Sequence, residues 1–156
     1  MVTIDPPLED ISAASLTRFV RKAQKLAGVA GQVDVLITGN HQVRGLNRRF
    51  RKQDKSTDVL SFPRADSAGG DIAISAAIAA GNAALYGHAP AEELKILILH
   101  GMLHLAGYDH ENDNGRMAAK ENRLRAQLHL PTALIERSNG QIKSHHGDTE
   151  AVKKPC

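Results

Sequence analysis

The stretch over residues 91–106 is apolar on almost every side, and no other segment limits the fold as strongly. Leu94, Ile96, Leu97, Ile98, Leu99, Met102, Leu103 and Leu105 leave it no wet face, so it must be a central helix buried by the rest of the chain. It is not a membrane span. Its strongest run, Ile96-Leu97-Ile98-Leu99, ends at His100, far short of the ~20 apolar residues a bilayer requires. Pro90 suits the first helical position, Glu92 and Glu93 suit the positive end, and Gly107 stops the helix.

The other elements follow from periodicity. Residues 12–27 place Leu16, Phe19, Val20, Ala23, Leu26 and Ala27 on one helical stripe, with Arg18, Arg21, Lys22 and Lys25 off it. Residues 33–38 alternate as a strand, 41–51 fit a second helix, and 58–62 and 71–75 read as two more strands. The short polar loop before Asp71 predicts an antiparallel pair for these last two. The helix over 41–51 predicts a crossover that makes the first two strands a parallel pair. Ser75 can cap an alanine-rich helix to about Tyr86, and 115–128 forms a last helix with Met117, Leu124 and Leu128 as its stripe. The fold class is α+β, a small mixed sheet packed with about five helices. One domain over 1–137 is expected, with a disordered, aperiodic tail over 138–156. The only cysteine, Cys156, cannot form an internal disulfide. Asp5, Glu9 and Asp10 make the first ten residues unlike a signal peptide, so a cytoplasmic protein is expected.

His100 and His104 stand one helical turn apart on the buried helix, so both imidazoles project from one face. Buried imidazoles need partners, and a metal ion is one. Gly107 lets the chain turn back, bringing His110 towards the first two. Three neutral histidines leave a tetrahedral zinc one open position, the arrangement of catalytic sites. One zinc per chain is expected, although imidazole also suits nickel, copper and iron. His41, His88 and His129 have no partner spacing and read as surface or loop residues.

The spacing His-x3-His-x5-His makes this a metzincin-like metal-site helix, but metzincins carry H-E-x-x-H, with the glutamate as general base. Here that position is Gly101, which moves no proton. Peptide hydrolysis is therefore the weaker reading, and a phosphodiester, with anionic oxygens a metal can clamp, is the stronger. Glu111 and Asp113 are spare acids that can replace the base. A phosphodiester needs cations. Arg44, Arg48, Arg49, Arg51, Lys52 and Lys55 fall close together against one acid, Asp54. A net charge of +3 also favours an anionic partner. Aromatic residues are only 3%, so RNA would be held by phosphate contacts more than by stacked platforms.

His100 to His110 reads H-G-M-L-H-L-A-G-Y-D-H, which resembles the signature H-G-x-x-H-L-x-G-Y-D-H of the YbeY endoribonucleases. Leu46-Asn-Arg-Arg-Phe-Arg51, Asp54-Lys-Ser-Thr57-Asp58-Val-Leu-Ser-Phe-Pro63 and Gly70-Asp-Ile-Ala-Ile-Ser75 agree, and Met117 and Glu121 match a similar pair in the family's last helix. The likeness covers about residues 33–130. Ser56 departs from it, where a proline often precedes Thr-Asp.

The resemblance implies a single-strand-specific, zinc-dependent endoribonuclease of ribosomal RNA maturation and ribosome quality control. Its partners would be ribosomal RNA precursor and the ribosomal small subunit with its proteins. It implies zinc on His100, His104 and His110, and a need for Arg51 in catalysis. Arg48, Arg49, Lys52 and Lys55, with the basic side of the first helix, would hold the RNA backbone. Tyr108 and Asp109 would shape the ligand turn or support a histidine. Two other classes stand beside this one, a zinc metallopeptidase with a displaced base and a non-catalytic ribosome-assembly factor.

Overall fold

The computed structural model describes residues 1–53, 57–65, 68–109 and 113–131. The tail expected over 138–156 lies outside them, as do Lys55, His110 and Glu111. The elements run β1 (Val2–Asp5), α1 (Ala13–Ala27), β2 (Gln32–Thr38), α2 (Asn40–Arg51), β3 (Val59–Pro63), β4 (Gly69–Ser75), α3 (Ala76–Tyr86), α4 (Pro90–Leu105) and α5 (Arg116–Gln127). The expected α+β class is observed: the described residues form a four-stranded mixed sheet in the order β1-β2-β4-β3 with five helices. No helix among the described residues is long and apolar enough to cross a membrane.

Local signals set most helix ends. Ser12 accepts a hydrogen bond from the Ser15 N–H (3.1 Å) and starts α1, and Ser75 accepts from Ile78 (3.2 Å) and starts α3. Gly28 ends α1 in the left-handed conformation (φ 75°). Pro90 opens α4, and the Glu92 carboxylate accepts from the Ala89 N–H (3.3 Å).

The sheet order corrects one expectation. β2 pairs in parallel with β4, not with β3, while β3 pairs antiparallel with β4. The parallel crossover thus runs from β2 to β4 with both α2 and β3 inside it. The burial of the strands explains the order. Ile72, Ala73 and Ile74 of β4 are buried whichever face they point to, which suits an interior strand. β3 ends in Pro63, which has no N–H to donate and suits an edge. The sequence reading also had no strand before α1. β1 is short and forms by pairing in parallel with β2, with Val2 opposite Val35 and Ile4 opposite Ile37.

Alternation divides the side chains between two layers. Val33, Val35, Ile37, Val59, Ile72 and Ile74 join residues of α1, α4 and α5 in the main core. Leu60 and Ala73 point the other way and meet Val43 of α2, with Leu46 and Phe62 at the margin. The buried stretch α4 fills the main core, where Leu97, Ile98, Met102 and Leu103 are fully buried. Each such side chain contributes roughly 1.5–3 kcal/mol of burial.

Candidate metal centre and basic groove

Helical spacing puts His100 and His104 on one face of α4, with ring centroids 4.9 Å apart and planes at 77°. His100 is fully buried, His104 half-buried. Each ring is held by its Nδ1. His100 Nδ1 meets the buried Glu121 carboxylate at 3.2 Å, and His104 Nδ1 meets the Tyr108 carbonyl at 3.1 Å. Both partners are acceptors, so in the neutral rings the proton sits on Nδ1 and the lone pair on Nε2. Both Nε2 atoms are buried. A carboxylate or carbonyl behind a neutral imidazole is the support that a metal-ligating histidine has. This donor set fits zinc as far as it is described. The third expected ligand, His110, lies outside the described residues, among which no group of three candidate ligands forms.

Gly107 makes the turn after α4, at φ +101°. The turn brings the Tyr108 N–H to Leu103 O (3.1 Å) and the Tyr108 carbonyl back to His104. Tyr108 therefore touches His104 through its backbone carbonyl. Asp109 is exposed and lines a small cleft with Gly28, Asp113 and Arg116. Asp113 Oδ2 accepts from the Met117 N–H (3.0 Å), so this candidate base also caps the start of α5.

Glu121 was legible only as part of a matching pair in the last helix, not as a histidine's support. One signal pointed to it: a carboxylate between Met117 and Leu124 on the apolar stripe of α5. Glu121→Gln keeps an acceptor but removes the charge, and is expected to weaken zinc binding about tenfold to a hundredfold, measured by competition with a chromophoric chelator. Unchanged affinity would mean that Glu121 does not support a ligand.

His88, read as a surface or loop residue, lies in the loop between α3 and α4. Its side chain is only 7% exposed, however, and its Nε2 lies 2.7 Å from the fully buried Glu93, which Asn82 also reaches at 3.3 Å. Glu93, expected merely to sit at the positive end of α4, ties that helix to α3. Burial demands such partners for a carboxylate.

On the opposite face of the sheet α2 leaves a groove of about 700 Å³, lined by Leu36, Leu46, Phe50, Arg51, Phe62 and Ala73 among others. Arg48, Arg49, Arg51 and Lys52 are all exposed at the end of α2. Arg51 donates to the Ser61 carbonyl and stacks over Phe62, 5.5 Å from the ring centroid. The Ser61 hydroxyl in turn donates to the Gly101 carbonyl (3.0 Å), beside His100. One residue of the edge strand β3 thus touches both the arginine and the histidine helix. The sheet separates α2 from the basic side of α1, so the two expected basic surfaces do not form one site. Asp34 also lines the groove. Its carboxyl is held below its usual value chiefly by the Gln32 hydrogen bond, with help from the Met1 ammonium and Arg64 against the opposing effect of burial.

Fold and site define an α+β protein with a histidine-bearing helix in its core and an arginine-rich helix over the open face of its sheet. The chain belongs to the Endoribonuclease YbeY family, whose profile matches residues 5–129. It is 54% identical over 144 residues to an endoribonuclease YbeY of Koribacter versatilis, covering 92% of this chain and 95% of the relative. A second, from Solibacter usitatus, is 52% identical over 123 residues, 79% and 84% of the two chains. A solution structure from Thermotoga maritima superposes with a TM-score of 0.51 at 30% identity, covering 79% of this chain and 85% of the other.

Proposed function

We propose that this protein is a zinc-dependent endoribonuclease that cleaves single-stranded RNA in the maturation of small-subunit ribosomal RNA. Membership of the endoribonuclease family supports the activity. The observation that carries the chemistry is the pair of imidazoles whose Nδ1 atoms are fixed by Glu121 and Tyr108. His100 and His104 would hold the metal by Nε2, with His110 as the third ligand. When bound, zinc supplies Lewis acidity at a phosphoryl oxygen.

The chain's own residues do the rest. Arg51 is held at the edge of β3 by the Ser61 carbonyl, and a guanidinium has donors left to grip a phosphate and stabilise its developing charge. Arg48, Arg49 and Lys52 attract the backbone, and Lys55 extends the basic stretch in sequence. Ribosomal RNA precursor and the small subunit are the proposed partners, and the cytoplasm the proposed compartment. The domain over 1–137 carries this activity.

Gly101 weighs against a peptidase. Its missing side chain faces Ile72 and Ser61 of the sheet, so no base at this position would reach a substrate.

The test is cleavage of a labelled single-stranded RNA by the wild type and by Arg51→Ala prepared identically, with and without chelator. Wild-type cleavage that a chelator stops, and a loss of about 10²–10³-fold in Arg51→Ala, is the expected result. Equal cutting by both proteins, or none by either, would falsify it.

A further inference from the structure

We infer that Phe50 is a nucleobase-stacking residue that selects unpaired RNA, an inference that rests on the proposed ribonuclease reading. Phe50 is 58% exposed, one of three large hydrophobic residues so exposed among those described. It sits within a run of cations. The Arg49 guanidinium lies 5.7 Å from its ring centroid, and Arg48, Arg51 and Lys52 surround it in sequence. The described part of this stretch, residues 41–53, contains no acid. An exposed aromatic ring costs solubility and gains nothing from the core, so its placement at the rim of a groove points to a ligand with a flat face.

The ring is also held. Phe62 packs against it edge to face, with centroids 5.6 Å apart, and Phe62 is itself under the Arg51 guanidinium. Phe50 and Arg51 are adjacent on α2, so a base on the ring leaves its flanking phosphate beside the arginines. A guanidinium and an aromatic plane side by side are what unpaired bases stack upon, and every base offers a face to them. Bases inside a duplex have no free face, which is how one ring can discriminate against double-stranded RNA. The low aromatic content of the chain argues against a long stacking platform, and a platform for one base needs only Phe50. The carboxylates that line the groove, Asp34 and Asp71, are paired with Arg64 (3.2 and 3.1 Å). The exposed cations at the end of α2 are therefore where the phosphates belong.

The experiment uses the full-length protein stripped of metal, so that binding is read without cleavage. Affinities are measured for a single-stranded RNA, the same RNA with abasic sites, and a duplex. Phe50→Leu keeps an apolar side chain but removes the plane, and Phe50→Trp restores one. Phe50→Leu is expected to weaken single-strand binding about five- to hundredfold and leave duplex binding unchanged, with Phe50→Trp close to wild type. The abasic RNA should bind both wild type and Phe50→Leu alike. Equal single-strand affinity in wild type and Phe50→Leu overturns the stacking role while leaving the ribonuclease reading intact. So does an equal loss for single strand and duplex, or a Trp variant as weak as the Leu variant. A wild type that binds no RNA overturns the ribonuclease reading, and the stacking role falls with it.

Discussion

His104→Ala is expected to cleave RNA at least about a thousandfold more slowly than the wild type and to lose its bound zinc. In the proposed three-histidine site, loss of one ligand would remove the metal's charge from the reacting phosphate, a contribution of several kcal/mol. His104 is the better target of the two helical histidines. It is half-buried, and its Nδ1 meets a backbone carbonyl on the turn after α4. The net cost of that hydrogen bond is about 1 kcal/mol. Compared metal-free, the variant should therefore unfold within about 4 °C of the wild type. His100 is fully buried against Glu121, and its removal would take a partner from a buried carboxylate as well as from the metal. Metal content, RNA cleavage and thermal unfolding of His104→Ala, measured together, decide the matter. A variant that keeps both zinc and activity would show that this helix is not the metal site.

Gly101→Glu, which writes the metzincin sequence into this helix, is expected to abolish folding without creating a peptidase. A Cβ at Gly101 would stand 3.0 Å from Ile72 Cγ2, 3.0 Å from Ser61 Oγ and 3.2 Å from Ile72 Cδ1. These contacts are tight for a methyl group alone. A glutamate adds two methylenes and a carboxylate to a packed, buried contact between α4 and the sheet. Overpacking costs about 1–3 kcal/mol, and burying a charge without a partner costs more. A loss above about 4 kcal/mol is a large share of a small domain's stability. Urea unfolding of the variant, with hydrolysis of an unfolded protein substrate, is the measurement. A folded variant that cleaves the protein substrate would reinstate the peptidase reading. The glycine thus has two consequences of one cause. The close approach of α4 to β3 and β4 excludes a side chain, and that exclusion removes the base a metzincin uses.

Much of the site was readable from local pattern. The spacing of His100 and His104 determines a shared face, and Gly107 determines a turn, whatever the rest of the chain does. The basic run at the end of α2 was visible by counting charges. What counting missed was direction. The catalytic role of Arg51 was marked by family likeness alone, and its hold on the Ser61 carbonyl depends on β3 being an edge strand. Phe50 was unremarkable in a chain with few aromatics, because exposure is not a property of a sequence pattern.

What the amino-acid sequence by itself determined is the set of elements with strong local periodicity, above all the apolar helix and the two histidines it carries. Hydrogen bonds within one helix and caps within one turn depend on neighbours a few residues away, so the chain specifies them locally. Only the tertiary structure decided the order of the strands, the pairing of His100 with Glu121, and the reason for Gly101. Each joins segments whose proximity comes from packing the whole core. β4 enters between β2 and β3 because both of its faces must be buried, and that requirement is settled only when helices cover both sides of the sheet.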